Sequence, residues 1–382
     1  MLYDTSRPEW NDWRWHLRNR ISTVVQLRNI IRLSDEQARE IERVVERFPI
    51  AISPYYASIM DPEDPNCPIR RQVVPSGGEL HDPFGIPDPL EELAHSPVPG
   101  VIRLYPDRVA FTVLDVCPVF CRFCFRKRLF DPNIEVRSRD LIDRGITYIA
   151  ETPEIRDVLI TGGDPLMGTD RWLERLLSRI RAIKHVEIIR LGTRMPVALP
   201  QRITPELCRM LERYHPVWIN THFNHPKELT PEAELACDRL TRAGIPLGNQ
   251  TVLLKGVNDD HEVMKKLVHG LLKMRVRPYY LFHCHRVEGT QHFRTSIEAG
   301  IEITKALRGH TSGLANPLFV VDTPQGKVPI LPRAGYIGRD GDEVVLETYA
   351  GLEWREHNPG DGGAPSATGA IRERRRGGRS PR

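Results

Sequence analysis

The sequence predicts an α/β fold: a partial (β/α)6 barrel with a helical region before it. Three observations carry this. Six short β-branched runs, at 108–116, 157–161, 186–191, 217–221, 247–254 and 277–282, alternate with amphipathic segments at 139–150, 171–183, 205–214, 231–243, 261–274 and 297–307. Such alternation implies parallel strands with right-handed crossovers. Unusual polar residues follow the strand ends: Cys117, Gly162-Gly163-Asp164, Arg194, His222 and Asn224, then Cys284 and His285, with Gln250 inside the fifth run. In parallel α/β folds that edge is where ligands bind. Six units fall short of the eight that close a full barrel, which favours an open barrel.

Residues 1–100 carry helical patterns at 13–32 and 35–48, then a Pro-rich stretch at 54–99. The barrel occupies 101–310. A C-terminal segment, 311–358, holds a strand, a turn and Lys327. Residues 359–382 are rich in Gly, Pro and Arg and are expected to be disordered, because such a composition buries no core. No internal repeat is visible.

The chain has 382 residues, 40% of them hydrophobic, enough for a sizeable core. No run of about 18 apolar residues occurs, so no membrane association is expected. The N-terminus lacks an apolar signal region, which predicts a cytoplasmic protein. The net charge is +4, but the last twelve residues hold six Arg and one Glu. The body is therefore close to neutral, and no nucleic-acid role is expected of it.

Seven cysteines in a chain of this kind argue against a disulfide framework. Three of them, Cys117, Cys121 and Cys124, form C-x3-C-x2-C just after the first strand. Three thiolates on a short loop can hold three irons of a 4Fe–4S cube and leave the fourth free for a small ligand. The competing reading is structural zinc, but zinc sites commonly pair two short-spaced motifs and no second C-x2-C exists here. Gly162-Gly163-Asp164 is by itself an ordinary turn sequence. Lys327, in DTPQGKVPI, reads by itself as a solvated turn lysine.

The cysteine spacing, with Phe123 before the last cysteine, resembles the radical S-adenosylmethionine superfamily. The chain from about residue 10 to 354 resembles the lysine 2,3-aminomutases. The resemblance rests on WNDWRWHLRNRI, SPYYASIMDPEDPNCPIRRQ, SPVPG, YPDRV, CRFCFRKR, PQRITPEL, VWINTHFNHP, PLGNQTVLLKGVND, RVRPYY, HFRT, LRGHTSG and FVVDTP. It implies a barrel of the radical S-adenosylmethionine kind and an isomerase that moves an amino group between the α and β carbons of a free amino acid, L-lysine first. It implies three cofactors: a 4Fe–4S cluster on Cys117, Cys121 and Cys124, S-adenosylmethionine, and pyridoxal 5′-phosphate on Lys327. Gly162, Gly163, Asp164, His222 and Gln250 would contact S-adenosylmethionine, and Arg108 the cofactor phosphate. Arg126 would pair with the substrate carboxylate, and Asp322, with His285 beside it, would face the substrate side chain. Without the resemblance, His222 reads as a core histidine and Arg108 as a surface residue. A flavodoxin- or ferredoxin-type electron donor and a homo-oligomer are implied too.

The sequence departs from the family in three places. An aspartate usual after the sixth-strand cysteine is His285, which weakens the case for lysine and leaves arginine, less readily glutamate, or a protein lysine as alternatives. The cysteines of a family zinc site are missing: the loop reads Gly-Val-Asn-Asp-Asp and no cysteine follows Cys284. No zinc is expected. An arginine usual before Tyr-Pro-Asp-Arg is Leu104, with Arg103 one residue earlier. A non-catalytic iron–sulfur or pyridoxal phosphate protein is the remote alternative.

Overall fold

In a computed structural model of the chain, residues 6–129, 138–331, 335–341, 343–358 and 371–372 are described. A nine-stranded sheet runs in sequential order: β1 (Val101–Tyr105), β2 (Arg108–Leu114), β3 (Asp157–Gly162), β4 (Ile188–Gly192), β5 (Val217–Thr221), β6 (Leu247–Leu253), β7 (Val276–His283), β8 (Leu318–Thr323) and β9 (Gly326–Pro329). Strands β2 to β8 pair in parallel, while β1 and β9 pair antiparallel at the two ends. The six expected units are therefore present, and the hairpin that carries Lys327 extends them through a seventh parallel strand, β8.

Five helices precede the sheet: α1 (Trp13–Arg18), α2 (Val24–Arg28), α3 (Asp35–Val45), α4 (Pro54–Ser58) and α5 (Pro68–Val73). The continuous helix expected over 13–32 is broken. Ile21 forms a β-bridge with Ile52, and Thr23 caps α2 through a capping box with Gln26. The crossovers use α6 (Arg139–Ala150), α7 (Asp170–Arg181), α8 (Met195–Ala198), α9 (Pro205–Glu212), α10 (Pro231–Arg242), α11 (His261–Lys273) and α12 (Ile297–Leu307).

Local chemistry explains where the long crossover helices begin. Ser138, Thr169, Thr204, Thr230, Asp260 and Ser296 each accept a hydrogen bond from the first turn. Each such cap contributes about 1 kcal/mol. The buried faces follow helical spacing, as in α7, where Leu173, Leu176, Leu177 and Ile180 are inside. Burying one such side chain contributes about 1.5–3 kcal/mol.

The strands divide their faces. Val109, Phe111, Val113, Val158, Ile160, Ile189 and Leu191 pack into the apolar core. The alternate positions, among them Arg108, Thr161, Arg190 and Gln250, face the other way, toward the barrel interior. A second sheet follows: β10 (Tyr336–Asp340), β11 (Glu343–Glu347), β12 (Glu353–His357) and β13 (Ile371–Arg372). It was not expected from the sequence. Ile371 and Arg372 pair with β12; the rest of the 359–382 tail lies outside the described residues.

Candidate active site

The cysteine loop leaves the C-terminal end of β2 and is gripped from outside the barrel. Phe120 N–H donates to the Ala51 carbonyl, Arg122 N–H to the Gln72 carbonyl, and Arg20 to the Cys117 carbonyl at 2.8 Å. Arg122 is fully buried and binds Glu79, with further bonds to the Phe48 and Pro49 carbonyls. Lys127 Nζ reaches the same Glu79 at 2.6 Å and the Gly289 carbonyl at 3.0 Å.

Burial and then the neighbouring Cys121 push the Cys124 thiol up to about 11, and burial and then the Asp164 charge hold the Cys117 thiol well above its ordinary range. Crowded buried thiols give up their protons only to a strong cation, which fits an iron cluster. Among the described residues, no three His, Cys, Asp or Glu side chains converge as ligands of one ion. A cube spreads its three cysteines over three irons.

Gly162 and Gly163 lie against this loop. A Cβ on Gly162, whose φ is +128°, would stand 2.2 Å from the Leu114 carbonyl oxygen, and one on Gly163 would stand 2.4 Å from that of Val116. Asp164 works inward. Its carboxylate accepts from Leu166 N–H, Thr193 Oγ1 and Arg194 N–H. Burial pushes it up to about 6 despite these bonds. Arg194 in turn places Nη1 2.7 Å from Cys121 Sγ and Nη2 on Tyr56, Gln72 and Glu228.

Three buried polar atoms at the end of β5 and just after it lack partners: Asn220 Nδ2, Thr221 Oγ1 and His222 Nε2. The His222 ring is 5.6 Å from that of Phe123. Burial, with the Arg194 charge adding to it, lowers His222 to about 3, so it is neutral in working buffers. An unpartnered buried polar atom costs about 1–3 kcal/mol, so these positions fit a polar ligand. Gln250 lies on β6, the adjacent strand.

Lys327 is the second residue of β9, opposite Asp322. Its Nζ is 3.1 Å from Asp322 Oδ1 and 5.5 Å above the Phe282 ring. Asp322 Oδ2 meets His285 Nε2 at 3.1 Å, with both side chains 8% exposed. Burial alone would raise Asp322, but the His285 hydrogen bond and the Lys327 charge outweigh it and hold the carboxyl below its usual range.

The Lys327 N–H donates to Tyr105 Oη at 2.9 Å, and the Arg108 guanidinium lies 3.8 Å above the same Tyr105 ring. Tyr105 therefore links the lysine to the expected phosphate arginine. Arg103 turns away: it bonds Tyr148 and the Pro106 carbonyl. It does not replace the missing arginine at position 104.

Arg126 and His285 both lie against one ring. Phe125 is 4.6 Å from the Arg126 guanidinium and 5.1 Å from the His285 ring. Arg126 is already engaged by Glu92, a residue the sequence did not single out. Glu79, Tyr105 and Phe125 were missed as well. Each is recognisable only by contacts with residues far along the chain or by ring packing.

Seven parallel strands with a three-cysteine loop at their C-terminal edge define a radical S-adenosylmethionine enzyme, and a family model described as "Radical SAM superfamily" matches residues 111–268. A second, "Lysine-2,3-aminomutase", matches 304–368, the segment with Lys327. An L-lysine 2,3-aminomutase of Fusobacterium nucleatum is 51% identical over 347 residues, covering 90% of this chain and 81% of that protein. One of Clostridium subterminale is 49% identical over 355 residues, covering 92% and 85%. A glutamate 2,3-aminomutase of Clostridioides difficile is 47% identical, covering 92% and 83%. The chain belongs to the lysine 2,3-aminomutase family. Membership brings a 4Fe–4S cluster, S-adenosylmethionine and pyridoxal 5′-phosphate as cofactors, and isomerase chemistry on a free amino acid.

Proposed function

We propose that this enzyme interconverts L-lysine and L-β-lysine by moving the amino group between Cα and Cβ. The observation that carries the substrate is Asp322: a buried carboxylate kept ionised, bonded to His285, whose ring packs on the same Phe125 as Arg126. A carboxylate at one end and a guanidinium at the other suit a substrate with a distal cation and an α-carboxylate.

When bound, the three cofactors supply a carbon radical that takes hydrogen from an unactivated C–H bond and a carbonyl that carries the migrating nitrogen. The protein's part is position. Cys117, Cys121 and Cys124 hold the cluster, and Gly162 and Gly163 leave room beside it. Asp164 fixes the following turn, so its role toward S-adenosylmethionine is to shape the loop. His222, kept neutral, and Gln250 offer hydrogen bonds without adding charge. Lys327 holds pyridoxal phosphate, and Arg108 its phosphate. Arg126 takes the substrate carboxylate. Asp322 faces one ammonium at a time, that of Lys327 or that of the substrate. Phe125 and Phe282 wall the space and keep water from it. An external one-electron donor of flavodoxin or ferredoxin type, self-association and a cytoplasmic location complete the reading. In its support, no helix among the described residues is long and apolar enough to cross a membrane.

One observation favours a second reading, the same chemistry on another cationic amino acid such as arginine. His285 occupies one oxygen of Asp322 and brings no charge of its own when neutral. The test is anaerobic turnover of reconstituted enzyme with S-adenosylmethionine, pyridoxal phosphate and dithionite. Lysine, arginine, ornithine and glutamate are offered in parallel, and α- and β-amino acids are resolved by mass. β-Lysine as the main product is expected. Turnover of arginine with lysine inert would replace the first reading by the second.

A further inference from the structure

The Pro-rich segment before the barrel has a part in the site that the reaction does not by itself require. Residues 82–97 cross the barrel mouth as a strap. At one end Asp82 Oδ2 accepts from the Thr290 and Gln291 N–H groups at 3.0 and 3.2 Å. Ile86 then forms a parallel bridge with Val287, in the loop that follows His285. Farther along, Asp88 pairs with Arg128 at 3.3 Å.

Glu92 is the strap's innermost charge, 7% exposed. It grips Arg126 side-on: Oε1 is 3.0 Å from Nε and 2.7 Å from Nη2, and Oε2 is 3.1 Å from Nε. Oε2 also takes Arg128 Nη2 at 2.7 Å. The other end of the Arg126 guanidinium is differently placed. Nη1 reaches Thr161 Oγ1 and the Gly162 carbonyl, both at 3.3 Å, where β3 ends inside the barrel. Those contacts are longer than ordinary N–H···O bonds, whereas the shortest Glu92 contact, Oε1 to Nη2 at 2.7 Å, is of charge-assisted length.

We propose that Glu92 is a positioning residue for the substrate carboxylate, acting through Arg126. This rests on the reading of Arg126 as the carboxylate contact. A guanidinium offers five N–H groups in one plane and can serve two carboxylates on two edges. Glu92 holds the Nε–Nη2 edge and so fixes the plane. The substrate then exchanges two weak neutral contacts for its own, with the Glu92 pair intact. The strap ties this arginine to the loop after β7, so both ends of the substrate are referred to one segment. The opposite arrangement, in which Glu92 is a stand-in that the substrate must evict, predicts the reverse effect of removing it.

The experiment uses anaerobic holoenzyme, the amino acid it turns over best, and the carboxamide of that amino acid, which lacks the negative charge. Binding is read from the shift in the cofactor absorption band, alongside KM and kcat. Glu92→Gln is expected to weaken amino acid binding about tenfold and to change carboxamide binding by less than about twofold. Glu92→Asp keeps the charge and is expected to fall between Glu92→Gln and wild type. It shows the same selectivity if Glu92→Gln does not fold. Tighter amino acid binding in Glu92→Gln would mean an evicted stand-in and overturn the proposal. Equal weakening of both ligands, or of neither, would overturn it too. Arg126→Gln separates the two readings. If it weakens both ligands alike, Arg126 does not contact the carboxylate and the underlying assignment fails. If it weakens only the amino acid while Glu92→Gln does not, the assignment stands and the role of Glu92 falls.

Discussion

Asp322 has two partners, and the balance between them sets the charge shown to a substrate side chain. His285 takes Oδ2 and Lys327 takes Oδ1. Exchanging His285 for Asp would put a second carboxylate beside a substrate ammonium. His285→Asp is therefore expected to lower the KM for lysine at least about tenfold, the low end of the worth of one hydrogen bond to a charged group, about 1.5–3 kcal/mol. Steady-state kinetics with lysine and arginine check this, and an unchanged lysine KM would remove His285 from recognition. Cys117, Cys121 and Cys124 stand out in the sequence because they sit in one short segment, whereas Asp322 and Lys327 stand out only through the family resemblance, since their segment by itself reads as a solvated turn. Glu92 does not stand out. Its partner is 34 residues away, and nothing in the Pro-rich stretch around it repeats with a structural period. His285 was legible as a departure, but its bond to Asp322, across 37 residues, needed coordinates.

At the scale of elements, the alternation of strands and helices was legible throughout the barrel because each strand run and each helix face has its own period. The N-terminal helices were less so. The apolar pattern over 13–32 continues past Ile21, but there the chain pairs with Ile52 rather than with itself. The small C-terminal sheet was missed because its strands are short and mostly half-buried or exposed, with little apolar alternation to read. Among the elements, the turn after β3 makes the sharpest prediction. Gly163 packs on the backbone of Val116, one residue before Cys117, and backbone cannot move aside as a side chain can. Gly163→Ala is expected to leave the far-ultraviolet circular dichroism unchanged and to cut bound iron after reconstitution to under about half, since a 2.4 Å contact forces the loop to shift. Full iron content in a folded variant would show that the glycine does not set the loop.

For the whole molecule, the N-terminal region and the barrel share buried charges. Glu79, 1% exposed, binds Arg122 and Lys127 of the cysteine loop. Glu79→Ala would strand two buried cations and is expected to destabilise the protein by about 3–5 kcal/mol, read as a fall in the urea midpoint. The same packing makes the protein sensitive to mild acid. His222 is held down to about 3, and His225 and His292 to about 4, in each case chiefly by burial. An unfolded chain protonates these rings near pH 6.5 while the folded one does not. The unfolded state therefore binds more protons, and stability falls as pH drops through 6.5 toward 4, by at most about 1.4 kcal/mol per pH unit for each ring. The carboxylates paired with cations act lower. Glu92, held at about 2 against burial by Arg126 and Arg128, contributes stability that is present above about 4.5 and lost only as pH falls toward 2. In the window from pH 6.5 to 4.5 these three rings, with His16 and His283, which burial also lowers, act against Asp164, whose carboxyl burial raises to about 6 so that the folded state gains that proton first. Urea midpoints of the cofactor-free protein should decline across it, because the lowered rings outnumber the one raised carboxyl, and His292→Gln should make the decline shallower. A flat profile in the wild-type protein would mean that these rings accept protons in the folded state, and that the sites around them admit water.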